Sequence, residues 1–327
     1  MGYSFVRQPR FMKHVFLLVL GFFLLNHVHA DSTSREQAAA LQTASGTIYG
    51  TLMLPVTVKG RLPVALLIAG SGPTDRNGNT PLLSGNNNSL LYLAQALAKK
   101  GIATLRYDKR GIGASAGAMP AESGLRFDTY VADAIGWIVE LRKNERFGKV
   151  FVIGHSEGST IGMLAAAAAD GYVSIAGPGF PADSVLRRQL AGQPKPVKDA
   201  AFPILDSLRA GFEVKKVHPF LLNLFRPSVQ PYLISWLKHD PRRIIAQLKI
   251  PVLIAQGDKD LKALVEDARA LQAASPGAVY LPVKDMNHVL KIVESTDRQA
   301  NLAAYSDPAL PVAQKLVDGI AAFILKR

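Results

Sequence analysis

Apolar residues along this chain fall into short unbroken runs separated by stretches of helical spacing. Pro63-Val64-Ala65-Leu66-Leu67-Ile68-Ala69 is one such run, closed by Gly70. A run without polar alternation suits a strand covered on both faces. Residues 102–107, 150–153, 173–176, 251–256 and 279–283 read as further strands. Between them, Leu90, Leu91, Leu93 and Leu97 predict a helix over residues 89–100, stopped by Gly101. Val131, Ala134, Ile135, Ile138 and Leu141 predict an amphipathic helix over residues 129–142. Further helices are expected over residues 261–274 and 311–325. Residues 46–54 alternate enough for an edge strand or hairpin. The polar residues 31–44 read as a linker or short helix. Strands alternating with helices predict an α/β fold, with a mainly parallel, doubly wound sheet covered on both faces.

The alternation lapses over residues 180–249. No strand pattern occurs there, and helical pieces are cut by Pro194, Pro196, Pro203, Pro219, Pro227, Pro231 and Pro241. This block is expected to be a helical cap inserted into a core formed by residues 31–179 and 250–327. The N-terminus reads differently again. Arg7, Arg10 and Lys13 precede an apolar run over residues 15–25, and Val28-His29-Ala30 places small side chains before a cleavage site. The run is about half of what a bilayer-spanning helix needs. Residues 1–30 are therefore expected to be a cleaved signal peptide, with translation starting at Met1 or Met12. The mature protein is expected to be exported, periplasmic or secreted after cleavage near Ala30.

Composition narrows the chemistry. The 327 residues are 48% apolar, enough for one large core with a small cap. There is no cysteine, so thiol nucleophiles, thiolate metal sites and disulfides are excluded. The formal charge is +13, and residues 1–30 carry three basic and no acidic residues, leaving +10. Residues 180–249 hold twelve Lys/Arg against five Asp/Glu, so most of the excess lies in the cap. Such a surplus suits a solvated face, attraction of an anionic ester, or contact with an anionic envelope surface. Nucleic-acid binding needs a patterned reading motif, and none is present.

The candidate chemistry centres on Gly154-His155-Ser156-Glu157-Gly158. This G-x-S-x-G pentapeptide follows an apolar strand and precedes a helical run, the context of a nucleophile elbow. A serine needs a base to become a nucleophile at neutral pH. Of the seven histidines, His14, His27 and His29 leave with the signal. His155 sits inside the elbow and reads as packing, while His218 and His239 lie in the cap. His288 follows the last predicted strand, and loops after parallel strands share one rim. An acid is needed to hold the imidazole tautomer. Asp260, three residues beyond Gly257, is the choice, with Asp258 as the alternative. The oxyanion donors are expected to be the backbone N–H groups of Glu157 and Ser71, the latter in Gly70-Ser71-Gly72-Pro73. No metal and no organic cofactor is called for.

Several segments carry a family resemblance. They are Gly70-Ser71-Gly72-Pro73-Thr74-Asp75-Arg76-Asn77-Gly78-Asn79, Tyr107-Asp108-Lys109-Arg110-Gly111-Ile112-Gly113-Ala114-Ser115, the elbow, Gly257-Asp258-Lys259-Asp260, and Met286-Asn287-His288. The chain resembles bacterial serine hydrolases of the α/β-hydrolase superfamily, a group that includes S33-type peptidases and EstD-like carboxylesterases. The order Ser156, Asp260, His288 is the order of that fold. The resemblance implies an α/β-hydrolase fold and hydrolysis of a small-molecule carboxylic ester by a Ser156–His288–Asp260 triad. The same triad also serves aminopeptidases and thioesterases, and the fold also serves inactive binding proteins. Ala69 departs from relatives that carry histidine before the oxyanion-loop glycine. Asp108 and Arg110 match a framework motif, read here as a turn and ion pair.

Overall fold

The computed structural model describes residues 34–57, 60–119, 121–295 and 297–327. The expected signal peptide, its cleavage site and both candidate starts lie outside the described residues. Among the described residues eight strands form one sheet: β1 (Ser34–Thr43), β2 (Gly46–Pro55), β3 (Leu62–Ile68), β4 (Ala103–Tyr107), β5 (Phe147–His155), β6 (Gly171–Ile175), β7 (Val252–Gly257) and β8 (Val279–Val283). Their order is β1-β2-β4-β3-β5-β6-β7-β8. β1 and β2 form an antiparallel hairpin, β2 pairs antiparallel with β4, and every later pairing is parallel.

The helices are α1 (Ser89–Lys99), α2 (Phe127–Lys143), α3 (Glu157–Ala165), α4 (Ala182–Leu190), α5 (Lys195–Arg209), α6 (Leu222–Phe225), α7 (Gln230–Leu237), α8 (Pro241–Ile245), α9 (Val265–Ala274), α10 (Arg298–Ala303) and α11 (Gln314–Leu325). Five of them, α4 to α8, occupy the proline-rich stretch between β6 and β7, which contains no strand. No helix of the described residues is long and apolar enough to cross a membrane.

The two-residue side-chain period of the strands divides the core. Val64, Leu66, Ile68, Val152 and Ile254 face one cluster, shared with α2, α3 and the inserted helices. Ala65, Leu67, Phe151, Ile153 and Leu253 face the other, under α1 and α11. Both sets are buried, which is why these strands read as unbroken apolar runs.

Three expectations are corrected. Of the segment read as a linker or short helix, Ser34–Thr43 forms β1, paired along its whole length with β2. β1 is the sheet edge and buries only Leu41, so most of its side chains need not be apolar. β2 is accordingly the second strand of the sheet and not its edge, and it is one arm of a hairpin, the other form expected of residues 46–54. The helix expected from residue 261 begins at Val265, because residues 260–264 form a loop whose amides bond the Asp260 carboxylate.

Leu66 lies in β3 with no exposed surface. Leu66→Ala should destabilise the protein by about 2–5 kcal/mol. Val56→Ala, at a position 54% exposed, should stay within about 0.5 kcal/mol of wild type. Urea unfolding at constant m-value checks both.

Candidate active site

β5 ends in a turn that no ordinary sequence tolerates. Ser156 has φ 55° and ψ −123°, a conformation that costs a non-glycine residue about 1–3 kcal/mol. The chain accepts it because two neighbours lack side chains. A Cβ on Gly154 would stand 2.2 Å from the Gly158 carbonyl oxygen, and one on Gly158 would stand 2.3 Å from that of Ile68. The glycines therefore let α3 start directly against β3 and β5. Ser156 becomes the residue before that helix, and the Glu157 amide lies in its first turn, where no intrahelical acceptor exists.

Asp260 follows β7 and His288 follows β8, on the same strand-end rim as Ser156. His288 Nδ1 lies 2.8 Å from Asp260 Oδ2. The other oxygen of Asp260 accepts the backbone N–H groups of Lys262 at 2.7 Å and Ala263 at 3.0 Å. Asp260 is 5% exposed, and burial alone would raise its pKa. The charge and hydrogen bond of His288, with the two amides, outweigh burial and hold it below the usual carboxylate range. A carboxylate only accepts, so Nδ1 carries the hydrogen of this bond, and in that tautomer Nε2 is the acceptor. Asp258 turns elsewhere: its Oδ1 accepts the Asp285 N–H at 2.6 Å.

His155 ties the histidine loop to the elbow. Its Nε2 lies 2.8 Å from the His288 carbonyl oxygen, and the two rings are 4.8 Å apart. A carbonyl only accepts, so Nε2 carries the hydrogen. His155 thus does more than fill space: it ties the backbone of residue 288 to the residue that precedes Ser156. The Ser156 hydroxyl has no hydrogen-bond partner among the described residues; such contacts often close only when substrate binds.

The loop after β3 is stiffened by its own side chains. Asp75 Oδ1 accepts the N–H groups of Asn77 and Asn79 at 2.8 and 2.9 Å. Asn79 Oδ1 accepts those of Asn87 and Asn88 at 3.0 and 2.9 Å. Asp108 takes the Arg76 amide at 2.8 Å and its guanidinium at 2.7 Å, while Arg110 pairs with Asp133 at 2.6 Å. Asp108 and Arg110 are therefore framework residues, each with a partner elsewhere. The Asn87 and Asn88 contributions were not read from sequence, although the run Asn86-Asn87-Asn88 before α1 is an Asx-turn signal.

Ser71, Ser156 and Glu157 line a cavity of about 590 Å³. Its other walls come from the loop after β4, from α2 and from the inserted helices, and include Ile112, Met119, Leu186, Leu224, Tyr232 and Trp236. His218 and His239 take no part: His218 packs on Phe220, and His239 lies against Phe127 and 3.3 Å from Asp128. Among the described residues no cluster of His, Asp or Glu is able to hold a metal ion.

Comparison with known proteins bears on the fold. A family model described as Serine aminopeptidase, S33 matches residues 86–244, a span that includes the elbow and ends before Asp260 and His288. No curated protein matches the chain significantly. The fold is similar to Est1E from Butyrivibrio proteoclasticus, at 15% identity and TM-score 0.56, covering 89% of this chain and 99% of that one. It is also similar to the esterase domain of a Rhodothermus marinus protein, at 17% identity and TM-score 0.53, with coverage of 89% and 99%. The α/β hydrolase GrgF from Penicillium sp. sh18 is alike at 17% identity and TM-score 0.58, with coverage of 89% and 98%. At these identities the likeness fixes the fold and not the substrate.

Burial pushes the His155 imidazole down to about 3, and the His288 charge acts in the same direction. The folded protein keeps it neutral where an unfolded chain, with an ordinary value of 6.5, takes up a proton. Stability from this residue is therefore complete above about pH 6.5 and declines as the pH falls toward 3. His155→Gln keeps a donor for the His288 carbonyl and removes the titration. Between pH 6.5 and 5, wild type should lose about 2 kcal/mol more than His155→Gln in urea unfolding. Parallel pH profiles would show that His155 charges freely.

Proposed function

As a member of the α/β-hydrolase superfamily, this chain, we propose, hydrolyses carboxylic esters through an acyl-enzyme on Ser156. The observation that carries the reading is the 2.8 Å contact between His288 Nδ1 and Asp260, held beside the strained elbow by His155. In the first half-reaction Ser156 Oγ attacks the acyl carbon and passes its proton to His288 Nε2. His288 gives that proton to the departing alcohol. In the second half, water attacks the acyl carbon as His288 takes its proton, and returning the proton to Ser156 Oγ releases the acid. The Glu157 and Ser71 N–H groups receive the developing oxyanion. The carboxylate of Asp260 stabilises the imidazolium and stays ionised throughout.

The cavity favours a neutral, apolar acyl or alcohol group. Of its five lining cations, Lys109, Arg110, Arg188 and Arg226 already face carboxylates. Among the described residues only Lys262, which is exposed, has no ion-pair partner. The surplus charge of residues 180–249 therefore does not amount to a carboxylate receptor inside the cavity. The same accounting weighs against an aminopeptidase, which needs an acid for the substrate amine. The two lining carboxylates, Glu122 and Glu157, are engaged by Arg226 with Ser228 and by Lys109 with Tyr232. Est1E, whose fold is similar, has been solved with ferulic acid bound; an aromatic acid of that size is compatible with the aromatic wall of Tyr130, Tyr232 and Trp236. A thioester would use the same acyl cavity. Export after cleavage near Ala30 accompanies this reading, with membrane contact confined to the signal segment or the basic face of the inserted helices.

Ser156→Ala should abolish turnover of p-nitrophenyl butyrate while the melting temperature holds. Asp260→Asn should lower kcat by about 10⁴-fold, and Asp258→Asn should leave it within about threefold. Turnover retained in Ser156→Ala, or equal losses in the two aspartate variants, would contradict the assignment. A butyrate ester should exceed the hemisuccinate ester in kcat/KM by at least about tenfold, since burying an unpaired carboxylate costs several kcal/mol. Equal values would restore an anionic substrate.

A further inference from the structure

A buried ion pair touches both halves of the oxyanion site, and the triad does not use it. Lys109 follows β4 and is 1% exposed; Glu157 follows Ser156 and is 4% exposed. Lys109 Nζ lies 2.7 Å from Glu157 Oε2 and 2.6 Å from the carbonyl oxygen of Gly70, and 5.1 Å from the centre of the Tyr130 ring. The second oxygen of Glu157 accepts the Tyr232 hydroxyl at 2.5 Å, from α7. Loops after β3, β4 and β5 and one inserted helix thus meet at a single ammonium–carboxylate pair.

Stability alone does not explain the pair. Two apolar side chains of the same volume commonly serve a buried position as well as an ion pair does. They lack a donor for the Gly70 carbonyl, however. That carbonyl belongs to the peptide whose nitrogen is the Ser71 N–H. Among the described residues every peptide is trans, so the C=O and N–H of this unit point in opposite directions. Gripping the oxygen on the Lys109 side therefore aims the hydrogen away from Lys109. The same peptide lies against the elbow: a Cβ on Gly70 would be 3.2 Å from Ser156 Cβ. A cation on the carbonyl also polarises the amide and makes its N–H a stronger donor.

We propose that Lys109 is the positioning residue of the oxyanion site, fixing the Gly70–Ser71 peptide so that its N–H meets the oxygen of the tetrahedral intermediate. Glu157 holds the ammonium in place, and Tyr232 holds Glu157, so a residue of the inserted helices is linked to the geometry of the reaction centre. The inference rests on the serine-hydrolase reading of Ser156.

The test uses Lys109→Met and the double variant Lys109→Met/Glu157→Gln, assayed with p-nitrophenyl butyrate and an aryl trifluoromethyl ketone, which forms a tetrahedral oxyanion on a serine. The single variant leaves a buried carboxylate unpaired and is expected to melt lower. The double variant removes that charge and is expected to melt near wild type. In both, kcat should fall about 10²-fold with KM within about threefold, the pattern of an interaction made in the transition state. Affinity for the ketone should fall in parallel with kcat/KM. A double variant that regains wild-type kcat and ketone affinity would reduce the pair to a structural role and overturn the proposal. So would a loss confined to KM. A wild-type protein that neither turns over esters nor binds the ketone would overturn the serine-hydrolase reading itself, and this proposal with it.

Discussion

The site depends on a single backbone constraint. Ser156 must hold φ 55° between β5 and α3, and this is allowed only while Gly154 and Gly158 let helix and strands approach to backbone contact. A methyl group at either glycine would fall within 2.3 Å of a carbonyl oxygen, a distance at which backbone must move. The sheet supplies the opposing rigidity: β5 is bonded on both sides, to β3 and to β6. The strain is thus carried by the most enclosed part of the fold, and it presents the hydroxyl and the free Glu157 amide to the same space.

Around that turn, polar groups that would be costly alone are buried together. Asp260 is held by His288 and two amides, His288 is held through its carbonyl by His155, and Lys109 is shared between Glu157 and Gly70. Each contact joins loops from different strands. The parallel order of the central sheet gathers these loops on one rim, and low local polarity strengthens each contact once it is satisfied. The inserted helices complete the arrangement by covering the elbow with Tyr232 and by lining the cavity with apolar side chains.

Much of this was legible in the chain. The central strands announce themselves because both faces are buried, and the elbow because its glycines are sterically required. Asp260 and His288 were reachable because each follows a recognisable strand. β1 was not, since its side chains are largely exposed and alanine-rich and its partner lies in the next segment. His155 reads as packing in a sequence because its partner is a backbone carbonyl 133 residues away, which leaves no pattern. The Lys109–Glu157 pair is hidden for the same reason: each residue sits in a motif with its own framework reading, and only the folded chain sets them 2.7 Å apart.

The most direct measurement is the site of covalent capture by a fluorophosphonate, read as intact mass and then by peptide mapping. The account predicts one adduct per chain, on Ser156, formed while ester hydrolysis disappears in proportion. A protein that hydrolyses esters yet carries the adduct on another residue, or carries none after prolonged exposure, would contradict it.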